Sequence, residues 1–486
     1  MERLTGKMVP KPLRPIRILQ FGEGNFLRGF VDYMIDIANE QGIFDGNIVM
    51  VKPRDNGKLD KFHEQDCQYT VSLRGNVDGV GCINNRIVTC VSDVVNPYRE
   101  YEKYGKLAEL ESLRFVVSNT TEAGIVLDES DRFENTPPES FPGKLTRFLY
   151  HRFKFFEGDK SKGLIILPVE LIDDNGIVLK KYVKQLASLW KLEEEFLTWL
   201  DQACVFTSTL VDRIITGYPQ NKEAQEWEQL GYEDRLLVTG EPFALWVIES
   251  DVDISGELPL DKAGLPVIFT DDQKPYKQRK VRILNGAHTS FVPAAFLAGL
   301  DIVRDSMQDD LIREFMLKTI YQEVIPTLSM GEEELKAFAG EVVNRFNNPY
   351  VDHALLSIAL NSVSKWRTRC MPSLLAYRER FGSLPANLTF SLAALMAFYS
   401  GNEIRDRALL GYRGEQEYKI MDDLPVLEFF RDHCRLDAEQ FVTAFLGRED
   451  FFGQDLNRVE GLSAAVAEYL RDIRRNGMRA ALCRIS

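Results

Sequence analysis

Residues 16–40 narrow the fold more than any other part of the chain. Ile16-Arg17-Ile18-Leu19-Gln20-Phe21 has the apolar make-up of a buried strand. Gly22-Glu23-Gly24-Asn25-Phe26-Leu27-Arg28-Gly29 follows at once. Val31, Met34, Ile35 and Ala38 then fall on one helical stripe that runs to Glu40. A strand, a glycine turn and a helix in that order form the phosphate-binding start of a dinucleotide fold. Gly22 permits the tight turn, and Gly24 lets the backbone approach a pyrophosphate seated on the amides of the helix start. The third glycine of a full G-x-G-x-x-G would stand at Leu27; the next glycine here is Gly29. The competing reading is a glycine turn that holds no ligand.

The segments that follow fit the same sheet. Asn47-Ile48-Val49-Met50-Val51 reads as a second strand, ending in Lys52-Pro53-Arg54-Asp55. An acidic residue at that strand end usually takes the ribose hydroxyls of NAD. Here two cations precede Asp55, so spacing alone leaves NAD and NADP both open. Residues 114–118, 163–169 and 204–210 read as further strands. They are followed by Asn119-Thr120-Thr121-Glu122-Ala123-Gly124, by Glu170-Leu171-Ile172-Asp173-Asp174-Asn175-Gly176, and by Val211-Asp212-Arg213-Ile214. Polar residues just past a strand's carboxyl end are where such sheets bind ligand; a capped polar turn is the plain alternative for each. Asp271-Asp272-Gln273-Lys274-Pro275 reads as a linker. Beyond it helical patterns cover 332–344, 351–369, 388–399, 438–446 and 461–476. The expected fold is therefore α/β: a Rossmann-type dinucleotide-binding domain over 1–274, then an all-α domain over 275–486.

The second domain opens on an unusual stretch. From Ile283 to Leu300 there is no Asp, Glu, Lys or Arg, yet Lys280, Asn285 and His288 are set into or beside that run. At about 100° per residue the three fall within an arc of roughly 140°, so one helix face can carry them all. Polar groups on an apolar helix are costly unless each is paired or used. Singly, each would be a satisfied core residue; together they point to an active site. Their chemistry suits alcohol oxidation, in which hydride leaves one atom while a base takes the hydroxyl proton. A neutral Lys can be that base, and Asn and His can hydrogen-bond the developing alkoxide.

Composition removes several classes of function. A net charge of −14 argues against nucleic acid or an anionic membrane as partner. The chain is 45% hydrophobic and 27% charged, as expected of a soluble globular protein. Seven cysteines without a CxxC spacing suggest free thiols in a reducing, cytoplasmic compartment. The five histidines show no metal-ligand spacing, so no metal is expected. Neither the N-terminus nor any apolar run reads as a signal peptide or a membrane span. The charge does not exclude a local cationic pocket for a small acid; oligomeric state leaves no mark in the sequence.

Phe21-Gly22-Glu23-Gly24-Asn25-Phe26-Leu27-Arg28, Thr120-Thr121-Glu122-Ala123-Gly124, Val211-Asp212-Arg213-Ile214, and Lys280 with Asn285-Gly286 and His288 together resemble the mannitol dehydrogenase family of long-chain, metal-independent polyol dehydrogenases. The resemblance covers nearly the whole chain. It implies NAD as cofactor and a secondary alcohol as substrate, and the longer versions of the same segments favour members acting on a keto-hexuronate. Lys280 matches the family's catalytic lysine, and Asn285 and His288 its partners. The implied cofactor set is Phe21, Gly22, Gly24, Asn25, Phe26, Thr120 and Asp55. The implied substrate set includes Asp212 and Glu170, although a family Asn near Glu170 aligns with Leu171 here. A substrate carboxylate would need a cation. Lys365 and Arg369 share a face at i,i+4, and Arg345 and His353 lie nearby in sequence.

Overall fold

Val, Ile and Leu fill whole strands rather than alternate positions, which is the pattern of a parallel sheet covered on both faces. The computed structural model, which describes residues 1–77, 80–121 and 123–485, contains such a sheet. Its strands are β1 (Ile16–Phe21), β2 (Asn47–Val51), β3 (Val91–Val95), β4 (Phe115–Ser118), β5 (Ile165–Pro168) and β6 (Val205–Phe206). They are all parallel, in the spatial order β3-β2-β1-β4-β5-β6. Strand order reverses between β1 and β4, and ligands bind at the carboxyl ends beside such a reversal. Phe21 pairs with Val51 on one side and with Ser118 on the other. That register brings the glycine turn, the end of β2 and the 119–124 loop together. Glu122, part of that loop's motif, lies outside the described residues.

One face of the sheet is covered by Leu27, Phe30, Val31 and Met34 of the helix after the glycine turn. Leu145, Phe148, Leu179 and Val183 cover the other. The segment 204–210, expected as one strand, is two. Val205–Phe206 closes the parallel sheet, whereas Ser208–Asp212 pairs antiparallel with Leu245–Glu249 in a separate sheet. Thr207, buried between them, donates its hydroxyl to the Ile166 carbonyl at 3.0 Å.

The chain divides into two compact units, residues 1–75 with 82–273, and residues 76–81 with 274–486. The second unit is built on two almost wholly buried helices, Gly286–Leu297 and Ala386–Phe398, whose apolar residues run all round the axis. Three differences from the sequence reading stand out. Residues 271–275 are only partly a linker, since helix starts at Lys274 with Pro275 in its first turn. The expected helix 351–369 breaks into Leu355–Ile358 and Ser362–Arg369, because Asn361 takes a left-handed conformation and donates its amide to Met421. A small antiparallel sheet, Ile404–Arg405, Ala408–Arg413 and Gln416–Ile420, adds strands to this mostly helical unit. Among the described residues no helix is long and apolar enough to cross a membrane.

Candidate functional site

One half of the candidate residues, in the first unit, lies in and around the turn after β1. Gly22 has φ +126°, and a Cβ there would stand 3.0 Å from the Asn119 carbonyl and 3.1 Å from Leu27 Cδ1. Only glycine fits. Gly24 caps the following helix in extended conformation, and a Cβ there would meet nothing within 4 Å. The helix runs over 25–40, and its first-turn amides lack intrahelical acceptors. Turn, open space and unpaired amides fit a dinucleotide diphosphate.

Buried side chains hold this turn in shape. Arg28 donates to the Glu23 carbonyl at 3.1 Å, to Asn25 Oδ1 at 2.7 Å and to the Leu236 carbonyl, and its guanidinium lies over Tyr69. Asn25, expected at the cofactor, thus spends its side-chain oxygen on Arg28. Gln20 donates to the Gly22 carbonyl at 3.1 Å and faces Asp32 Oδ2 at 3.4 Å, which also accepts the Tyr69 hydroxyl at 2.6 Å. Burial pushes the Asp32 carboxyl up to about 7, against the hydrogen bonds from Tyr69 and Gln20. Phe21 is buried beneath the turn among Tyr104 and Phe141, while Phe26 stacks on Phe30.

The ends of the neighbouring strands complete this half. Thr120 Oγ1 and its amide both donate to Glu170 Oε1 at 2.9 Å, and Ser118 donates to the other carboxylate oxygen at 3.0 Å. Both oxygens of Glu170 are therefore engaged on the 118–120 segment. Glu170, which the resemblance places among the substrate residues, thus braces the Thr120 loop. Thr121, at φ +74°, holds a conformation a β-branched residue rarely adopts, a strain of the kind found at ligand loops. Asn175 is fully satisfied by backbone around β5, and Leu171 is exposed. Asp55 accepts from Asn96 Nδ2 at 2.9 Å and stands 3.6 Å from Arg99. Asp212 is buried at the end of Ser208–Asp212, and the neighbouring Arg213 ties that strand to the Gly29 carbonyl.

The other half of the candidate residues, in the second unit, lies on the helix that begins at Lys274. Residues Lys280–Asn285 form a π-turn, continued as α-helix by Gly286–Leu297. A π-turn advances roughly 80° per residue rather than 100°. Lys280 and Asn285 are then about 40° apart, and His288 falls about 20° to the other side of Lys280, an arc of roughly 60° and a tighter grouping than a uniform α-helix allows. Lys280, Asn285 and His288 are all half-buried. A Cβ on Gly286 would come 3.2 Å from the Arg369 carbonyl, and Cys370 Sγ meets the Gly286 carbonyl at 3.5 Å. The glycine thus lets the Ser362–Arg369 helix close against the one that carries Lys280.

That contact surrounds His288 with cations. Its ring stacks on Phe346 at 4.2 Å and meets His353 edge-on at 5.5 Å, and its Nε2 is buried without a partner. Burial, reinforced by His353, Arg345, Arg369 and Lys365, holds the imidazole well below its usual range, so it is neutral at neutral pH. Arg369 reaches Thr289 Oγ1 at 3.4 Å, and Lys365 donates to the Ile358 carbonyl at 2.9 Å. Among the described residues neither has a carboxylate in salt-bridge range. Burial lowers both, and Arg369 lowers Lys365 further while Asp422 partly offsets it. A half-buried, like-charged group of this kind is costly unless it binds an anion. Arg345, His353 and the Phe346 platform were the least legible parts. They come from helix Glu332–Phe346 and the loop after it, some sixty residues from His288, and only a run of Arg-Phe-Asn-Asn-Pro marks them.

Comparison with known proteins places the whole chain in a family. Residues 16–262 match the mannitol dehydrogenase Rossmann domain, and residues 272–474 match the mannitol dehydrogenase C-terminal domain. An altronate oxidoreductase of Pectobacterium atrosepticum is 45% identical over 489 residues, covering 99% of each chain. One from Bacteroides thetaiotaomicron is 44% identical over 480 residues, covering 98% of each. Among solved structures, a D-sorbitol dehydrogenase superposes with a TM-score of 0.78 at 21% identity over 99% of this chain and 100% of its own. Pseudomonas fluorescens mannitol 2-dehydrogenase, solved with NAD and D-mannitol, does so with 0.69 at 22% identity over 99% of both chains. With both domains matched along almost its full length, the chain belongs to the mannitol dehydrogenase family of oxidoreductases.

Proposed function

We propose that this chain is an NAD-dependent oxidoreductase that interconverts D-tagaturonate and D-altronate in hexuronate catabolism. The observation that carries the sugar-acid reading is the group of cations around His288, without a carboxylate partner on Lys365 or Arg369. A neutral polyol has no use for such a group; a substrate with a carboxylate does. Relatives named altronate oxidoreductase at 45% identity support the same choice.

The nicotinamide, when bound, supplies or accepts the hydride. The remaining work falls to the chain's own residues. In reduction, the Lys280 ammonium gives its proton to the carbonyl oxygen as it becomes an alkoxide; in oxidation, the amine takes that proton back. Asn285 can donate to the same oxygen. His288, neutral and with a free buried Nε2, can hydrogen-bond a substrate hydroxyl without adding charge. Arg369 offers the planar fork that grips a carboxylate, and Lys365 a second charge.

The test is NADH oxidation by the purified protein with D-tagaturonate and, in parallel, with D-fructuronate. Turnover is expected with D-tagaturonate, and Lys280→Ala abolishes it while dinucleotide binding remains. A wild-type enzyme active only on fructuronate would replace the substrate named here. A Lys280→Ala variant that still turns over would remove the lysine from its role.

A further inference from the structure

The carboxyl end of β2 departs from the usual plan. The residue just past Val51, where such folds commonly place an acid for the adenosine ribose, is Lys52. Its side chain is 2% exposed, and its Nζ lies 3.1 Å from Glu23 Oε1 and also donates to the Asn56 carbonyl. Glu23 stands between the two glycines of the turn. The β1–β2 register makes the two residues neighbours, with Phe21 opposite Val51 and the Gly22 amide donating to the Val51 carbonyl at 3.0 Å. Glu23 keeps its side chain 24% exposed. Oε1 is taken by Lys52, and among the described residues Oε2 has no donor. The other carboxylate at this strand end, Asp55, is turned to Asn96 and Arg99.

We propose that Glu23 is the residue that selects the cofactor: it accepts the adenosine ribose hydroxyls in place of a β2-end acid, and its pairing with Lys52 withholds that cation from a 2′-phosphate. The proposal rests on the reading of the glycine turn as a dinucleotide site. A ribose diol is two donors in want of an acceptor, and a partly exposed carboxylate held by a buried ammonium is one that is already oriented. A 2′-phosphate in the same place would meet the carboxylate's like charge. Without Glu23, the Lys52 ammonium has lost its counter-ion, and the exposed Arg54 stands two residues further on.

The experiment measures dissociation constants for NADH and NADPH, from the fluorescence of the bound reduced nicotinamide, on wild type, Glu23→Gln, Lys52→Met and the double variant. Each is first checked for a cooperative melt. Wild type is expected to favour NADH. Glu23→Gln weakens NADH and strengthens NADPH, moving their ratio about tenfold or more toward NADPH. Lys52→Met moves the ratio the other way, and the double variant loses the NADPH gain. A wild type that prefers NADPH, or a folded Glu23→Gln whose ratio is unmoved, overturns the proposal. Should Glu23→Gln not fold, a Lys52→Met ratio equal to wild type overturns it as well. A wild type that binds neither dinucleotide rejects the cofactor reading itself, a separate and distinguishable failure.

Discussion

Arg369→Met separates binding from stability, because the two should move in opposite directions. Methionine keeps much of the length of the side chain and removes its charge. If Arg369 grips the substrate carboxylate in two-pronged fashion, the lost charged hydrogen bonds are worth about 2–3 kcal/mol, or roughly a 30- to 150-fold rise in KM for the keto-acid. A neutral ketohexose, which has no carboxylate to lose, should show no comparable change. In the free protein the same arginine is a burden. It is half-buried, burial lowers its pKa, and it depresses Lys365 and His288. Relief of that repulsion, discounted for partial solvent screening, is on the order of 1 kcal/mol, enough to raise the melting temperature by about 2–4 °C. Stability given up for a charged site is a familiar trade. Steady-state kinetics on both substrates and a thermal melt without ligand decide the matter. An equal rise in KM for acid and neutral sugar, or a lower melting temperature, would refute the assignment of Arg369 to the carboxylate.

Two further outcomes follow from the first unit. Gly22→Ala would force a Cβ to 3.0 Å from the Asn119 carbonyl at φ +126°, a strain of about 2 kcal/mol. It should weaken dinucleotide binding by tenfold or more in a fluorescence titration, and unchanged affinity would mean that the turn does not hold the diphosphate. Asp32→Asn tests the buried network. Burial raises the folded carboxyl from 3.8 to about 7, so folded protein keeps a proton that the unfolded chain has lost. Asp32's contribution to stability is full below the unfolded value and drains away as pH rises through about 7. The melting temperature of Asp32→Asn should therefore gain on wild type between about pH 5 and about pH 8, by the equivalent of a few kcal/mol at most; a constant gap would place the proton elsewhere.

How much of this was legible depends on the range of the interactions involved. The strands Ile16–Phe21 and Asn47–Val51 and the helix Ala438–Leu446 stand where the sequence puts them. Each is set by its own apolar pattern. Val91–Val95 went unread because Ser92 and Asp93 interrupt its apolar run, although pairing with β2 makes it a sheet strand. The breaks at Thr207 and Asn361 escaped for the opposite reason, since the pattern runs on while long-range hydrogen bonds to Ile166 and Met421 stop the element. Lys280, Asn285 and His288 could be singled out because polar groups in an apolar run are locally conspicuous. The hold of Glu170 on Ser118 and Thr120 has no local signature, because those partners lie some fifty residues away. The Glu23–Lys52 pair depends on the β1–β2 register, which no local window contains.

Two of the π-turns sit among the candidate residues, one in each unit. One interrupts the glycine-turn helix at Arg28–Asp32, and another carries Lys280–Asn285. In the first, the added width goes with residues that reach back to the turn: Arg28 to the Glu23 carbonyl, and Asp32 toward Gln20, which holds Gly22. In the second, it swings Asn285 toward the face of Lys280 and His288. A π-turn gives weaker backbone bonding than α-helix and is kept where side-chain placement repays that loss. Inserting one alanine into either turn adds a helical step and would rotate the groups that follow by about 100°. Insertion within 280–285 should therefore abolish turnover while the first unit still binds dinucleotide. Insertion within 28–32 should do the reverse, loosening the glycine turn while leaving the face of Lys280, Asn285 and His288 in place.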